Sequence, residues 1–156
     1  MIDAILSNKP VLVGLHLGFA ILGIDCFLWL ATEIGRADRD IKKSMKLAMG
    51  GILGFALSWL AGGYYYVKYY GPLVKPIIKS SASPWAHAIV MEAKEHIFLF
   101  VIPMALTVWF LSRLSFNELQ QNGLLKPVKV LIWSIAALTL TIGLMGFVIS
   151  AAARWA

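Results

Sequence analysis

Apolar residues in this chain come in long unbroken runs, without the alternation of a half-buried strand or the single stripe of a surface helix. Four runs stand out, at about residues 11–31, 47–67, 84–112 and 128–153. A transmembrane helix needs about 20 apolar residues to cross a hydrocarbon core of about 30 Å. The first, second and fourth runs meet that length. The third is fully apolar only from Ile97 to Leu111, so its helix must begin earlier. Ser83 is a natural N-cap and Pro84 suits the first helical position. A helix from Pro84 to about Ser112 is on the order of 40 Å long at 1.5 Å per residue. Pro103 falls in its middle, where a missing amide predicts a kink. Short connections between four such helices predict an all-α, up-down-up-down bundle, a single integral-membrane domain over residues 1–156.

Composition supports lipid as the solvent: the chain is 60% hydrophobic and 14% charged. A net charge of +6 suggests nucleic acid at first sight. The basic residues, however, lie in short segments between apolar runs, where they orient a membrane protein, and no nucleic-acid motif accompanies them. Arg36, Arg39, Lys42, Lys43, Lys46, Arg113 and Lys126 form the denser set, so both termini are expected to face outward. Trp29, Trp109 and Trp133 mark one interface, and the run "GGYYYVKYYGP" with Trp85 and Trp155 marks the other. The stretch "PLVKPIIKSS" is expected along the outer surface. The first run lacks a basic n-region and a cleavage site, so it is read as a retained helix. The expected location is a bacterial inner (plasma) membrane. The lone cysteine, Cys26, has no partner spacing for metal, redox or covalent haem attachment and reads as a packing residue.

The polar residues inside these runs are the chemical candidates. His16 on the first helix and His96 on the third lie at similar predicted depth. Two imidazoles so placed suit the axial positions of one haem iron or a smaller metal site, whereas structural hydrogen bonding is the plainer alternative. With membrane entry near Ala93, His87 lies at the surface, where snorkelling competes with its being the alternative helix-three ligand. Glu92 shares a helix face with His96 at i,i+4 and could orient that ring or ligate directly. Asp25, in the inner half of the first helix, is read either as a proton-relay group or as a buried acid hydrogen-bonded to Thr107, Ser134 or Thr139. Gly50, Gly54, Ser58 and Gly62 form a small-residue stripe, joined by Gly14 and Gly18 on the first helix. Such stripes serve close helix packing, and they also admit a flat cofactor.

His16, His96 and these glycine faces together resemble small four-helix membrane b-type cytochromes, and less closely the copper-resistance membrane proteins with outward-facing histidines. The resemblance implies haem b held by His16 and His96, with electrons exchanged with quinol (hence a possible quinone partner) or a partner redox subunit. No histidine lies on the inner half, so one haem near the outer surface is the most it implies. The competing reading is copper, zinc or iron held by His16, Glu92 and His96. A third is a cofactor-free structural subunit packed against other membrane subunits or a second copy. No hydrolase triad, phosphate loop or dinucleotide fingerprint is present, so an autonomous enzyme is not expected.

Overall fold

The computed structural model describes residues 2–156, and among them there is no strand. Four helices are long and apolar enough to cross a membrane. After a short α1 (Ile2–Leu6), α2 runs Lys9–Glu33 and α3 Ile41–Tyr65. A π-helical segment (Tyr66–Val74) and α4 (Lys75–Ser80) continue α3. A second π-helical segment (Ala86–Met91) leads into α5 (Glu92–Leu111), then come α6 (Phe116–Gln121) and α7 (Leu125–Arg154). Local chemistry explains the starts. Asn8 accepts the Val11 amide at 3.2 Å ahead of α2, with Pro10 in its first turn. Asp40 accepts the Lys42 and Lys43 amides at 2.8 and 3.3 Å ahead of α3. Ser115 and Glu118 form a reciprocal capping box on α6, which holds the Glu118 carboxyl below the usual carboxylate range.

The second span differs most from expectation. It begins at Ile41 and continues helically to Ser80, 40 residues in all, or about 60 Å at 1.5 Å per residue. Gly71-Pro72 is a stop signal for an α-helix, but here Pro72 lies inside a π-helical stretch, whose wider i→i+5 pattern carries the chain past the proline. The segment expected to lie along the surface forms a helical hairpin with Ala86–Met91, at the end of the bundle bearing both termini. Ser81 tightens its turn by accepting the Ser83 amide at 3.0 Å. On the third span, the helix runs unbroken through Pro103.

α2 packs on α3 and α7, and α5 on the same two helices, which places α2 and α5 on the bundle diagonal. The α2–α3 seam is the tightest. A Cβ on Gly54 would stand 2.8 Å from the Gly23 nitrogen and 2.9 Å from the Phe19 carbonyl oxygen. The Phe27 and Phe55 rings stack beside this contact, 5.6 Å apart and 2° from parallel. The expected packing role of Gly50, Gly54, Ser58 and Gly62 is therefore what the structure shows: α2 covers that stripe. Gly14 and Gly18 look the other way, into open space.

The interior divides into two apolar clusters. The larger, around Phe27, Phe55, Val101, Val108, Ile132 and Ile135, fills the end of the bundle bearing the α2–α3 loop. The smaller, around Tyr70, Ile78, Met91 and Ile149, lies at the end bearing both termini. Outside, Leu17, Leu22, Leu53, Leu60, Phe100 and Phe147 are exposed, as the hydrocarbon-facing surface of a spanning bundle requires. At the loop end, buried Glu33 pairs with Lys43 at 2.7 Å. Buried Arg39 reaches the Ser112 carbonyl at the end of α5 and the Ser44 hydroxyl, each at 3.4 Å. Burial pushes the guanidinium below its ordinary value, opposed by Glu33.

The seam yields a test. Gly54→Ala meets backbone on both sides and should lose about 1–3 kcal/mol by overpacking. Gly14→Ala faces open space and should be neutral or slightly stabilising. Unfolding in detergent, followed by circular dichroism, reads both.

Candidate functional site

Between the two apolar clusters lies a polar layer. The fully buried Val101, Ala105 and Val108 mark the inward stripe of α5. Lys94 stands seven residues before Val101, two helical turns away on the same stripe. Its ammonium is 4.0 Å from where a Cβ on Gly146 of α7 would be, and it is the charged group that acts on His16. Among the described residues Lys94 makes neither an ion pair nor a side-chain hydrogen bond.

His16 closes the layer from the other diagonal helix. Its Nδ1 lies 2.9 Å from both the carbonyl oxygen and the hydroxyl of Ser58. The Ser58 hydroxyl in turn donates to the His16 carbonyl at 2.8 Å. A carbonyl oxygen only accepts, so Nδ1 carries the proton and donates. In the neutral ring Nε2 then holds the free lone pair. The ring fits because position 62 is glycine: a Cβ there would stand 2.5 Å from Nδ1.

His96 sits two residues beyond Lys94 and is exposed, on the outward side of α5. Its Nδ1 donates to the Glu92 carbonyl at 2.7 Å, which again leaves Nε2 free. The Glu92 contribution to His96 is therefore its backbone oxygen. The Glu92 carboxylate is exposed, as is Glu95. At this depth the α5 residue on the inward stripe is Lys94, beside Gly146 of α7.

His87 is placed differently from its expected surface position. It is 4% exposed and its Nδ1 is 3.2 Å from the hydroxyl of Tyr70, itself 3% exposed. Tyr66 stacks on Tyr70 at 5.2 Å, and the His87 ring lies 5.9 Å beyond. Both partners sit in π-helical segments, one on each arm of the helical hairpin. The i→i+5 spacing of the second segment stacks Glu92 near His87, and Lys75, Glu92 and Lys79 are charges that act on the ring.

Asp25 is exposed on the outer surface of α2 and has no hydrogen-bond or ion-pair partner among the described residues. Its expected partners are occupied or apart: Thr107 donates to Pro103 at 2.9 Å and Thr139 to Ile135 at 2.7 Å.

These positions test the expected cofactors. A haem between His16 and His96 needs both free nitrogens aimed at one space. One ring lies in the α2–α3 seam, and the other faces outward from α5. The small-residue stripe of α3 is already filled by α2. Among the described residues no group of three or more His, Cys, Asp or Glu side chains is arranged to hold a metal ion. A single chain therefore does not fit either the two-histidine haem or the His16–Glu92–His96 metal centre.

Ser58, Lys94 and Tyr70 are the functional candidates that sequence reading passed over. Counting back by seven from Val101 finds Lys94. Nothing in the tyrosine-rich run singles out Tyr70 from its neighbours. No protein-family model matches the chain, and no curated protein or solved structure matches it.

Removing the Tyr70 hydroxyl should leave the buried His87 nitrogen without its partner. Tyr70→Phe should therefore destabilise the protein by about 1–3 kcal/mol. Tyr64→Phe, at a more exposed ring, should stay within about 0.5 kcal/mol of wild type. Thermal unfolding of both variants checks the contrast.

Proposed function

We propose that the chain is an integral-membrane subunit of a larger membrane complex, held there by the outward face of α2. The observation that carries this reading is Asp25. It lies in the inner half of a spanning helix, exposed and without a partner among the described residues. A lone aspartate facing hydrocarbon costs about 2.5–3.5 kcal/mol on the insertion scale. A neighbouring helix that covers it and supplies a hydrogen bond removes that cost. Gly14, Gly18, Leu22, Asp25 and Trp29 follow one another at spacings of three and four along the same exposed face. Small residues with open space above them let a partner backbone approach closely. The partner is a helix of another subunit or of a second copy.

In this reading the basic loop end faces the cytoplasm of a bacterial cell and both termini face outward. Arg36, Arg39, Lys42, Lys43, Lys46, Arg113, Lys126 and Lys129 all belong to that end, which supports the orientation through the positive-inside rule.

The redox reading keeps one specific support. His96 presents a free Nε2 from the outward face, anchored through Nδ1 as an axial ligand would be. In a complex, a haem b electron-transfer site, or a smaller metal site, would use His96 with a ligand from the neighbouring subunit. Bound haem would supply one-electron chemistry. This chain's own part would be to fix the imidazole through the Glu92 carbonyl.

Extraction from native membranes in mild detergent tests the assembly reading. The wild-type chain should migrate with a mass well above its own 17.2 kDa plus micelle. Asp25→Leu should release it as a monomer while making the isolated chain about 3 kcal/mol easier to insert. A monomeric wild type, or an Asp25→Leu chain still in the large species, would refute the reading. A visible spectrum of the large species, oxidised and reduced, decides the haem arm. A Soret band lost in His96→Ala supports ligation, and a featureless spectrum from haem-replete cells rejects it.

A further inference from the structure

Where α2 ends and α3 begins, the two helices enclose an open groove of about 400 Å³. Its floor is apolar, made by Cys26, Trp29 and Leu47, and its rim carries Lys42, Lys43 and Lys46 with Asp40. The rim charges are not equivalent. The Asp40 carboxylate accepts the Lys42 and Lys43 amides and so serves as the α3 N-cap. Lys43 lies between the Glu33 carboxylate at 2.7 Å and the face of Trp29 at 5.2 Å. Lys42 and Lys46 are exposed and, among the described residues, have no side-chain hydrogen bond or ion pair.

We propose that this groove binds the phosphodiester headgroup of an anionic phospholipid, with an acyl chain lying on its apolar floor. The two lysines without an ion pair, Lys42 and Lys46, line the same groove as the Trp29 ring, at the end of the span where helices meet headgroups. One residue deeper on the same wall, the lining is already apolar. A basic pocket between spanning helices at the interface has the form that selects acidic headgroups. A zwitterionic headgroup brings its own cation and gains less from Lys42 and Lys46. A free anion would gain nothing from Cys26, Leu47 or the Trp29 ring. The two sides of the ligand therefore match the two sides of the groove, charge against charge and chain against apolar floor. Trp29 belongs both to this groove and to the Asp25 face, whereas Lys42 and Lys46 lie outside that face, so the charged side of the groove does not rest on the assembly reading.

The test is retention of lipid by the full chain in mild detergent, read by native mass spectrometry. Phosphatidylglycerol and phosphatidylcholine with identical acyl chains are offered in equal amounts. Phosphatidylglycerol should be held preferentially. The Lys42→Gln/Lys46→Gln double variant should weaken that binding about 30-fold, roughly fivefold for each lysine. Lys68→Gln/Lys79→Gln removes the same charge from the opposite end and should leave binding unchanged. Equal retention of the two lipids would overturn the proposal, as would equal losses in both double variants. Complete displacement by millimolar inorganic phosphate would overturn it too, because the site would then be one for free anions. Should the first double variant fail to fold, brominated-chain phosphatidylglycerol added to the folded wild type replaces it. Its lipid-specific quenching of tryptophan should disappear in Trp29→Phe, and undiminished quenching there would reject the groove as the site.

Discussion

The contact of α2 with α3 is the constraint on which the other features rest. In hydrocarbon no hydrophobic force drives helices together, so packing quality decides which pairs hold. Here Gly23, Gly51 and Gly54 bring the two backbones within van der Waals reach of one another. That approach fixes an antiparallel register along the whole seam. His16 meets Ser58 and Gly62 at one end, Cys26 meets Gly50 midway, and Glu33 meets Lys43 at the other. A register slip of even one residue would unseat all of these pairs together. The histidine, the buried glutamate and the lysine-rimmed groove are thus consequences of one glycine-to-glycine contact.

Two further helices complete the bundle without equalling that intimacy, and the result is an interior with a polar layer between two apolar clusters. His16 and Ser58 satisfy each other within the layer. Lys94 makes no ion pair among the described residues, and a charged group at that depth is costly unless it is paired or reaches water. Its stem lies against Gly146, where the absent side chain leaves room. Lys94 and His16 bring an ammonium and an imidazole, both half-buried, to this layer from diagonal helices. The apolar clusters above and below isolate it.

The spans were legible in the sequence because run length and composition report directly on a hydrocarbon solvent. The packing role of Gly50, Gly54, Ser58 and Gly62 was legible for the same kind of reason, as a four-residue repeat that repeats on one face. The facing of the third helix was harder to read. His96 attracts attention by residue type, yet the inward stripe is set by Val101, Ala105 and Val108, and that stripe leads to Lys94. The helical hairpin was hidden by Gly71-Pro72, which reads as a helix stop. No sequence rule distinguishes a proline that ends a helix from one carried by a π-helical turn. The burial of Tyr70 and His87 follows from that hairpin, so it was hidden with it. Gly14 and Gly18 show the converse limit, since a small-residue pair signals a close approach without saying whether the partner is in the same chain.

The two ends of the bundle are built on different principles. At the loop end four charges are locked into place: Glu33 on Lys43, Arg39 on the carbonyl end of α5, Arg113 over the Trp109 ring at 4.0 Å. Helices there are regular, and α3 and α6 carry side-chain N-caps. At the terminal end the backbone departs from α-helical geometry twice, and both departures carry members of one buried hydrogen bond, Tyr70 to His87. π-helical turns sacrifice regular hydrogen bonding and concentrate at functional sites for that reason. Glu92, Glu95 and His96 lie within about a turn of the second one, and the polar layer lies directly beneath. The loop end therefore has the character of an anchor that fixes depth and tilt. At the other end His87, Glu92, Glu95 and His96 gather on and just beyond a π-helical turn, beside the Tyr70 hydroxyl.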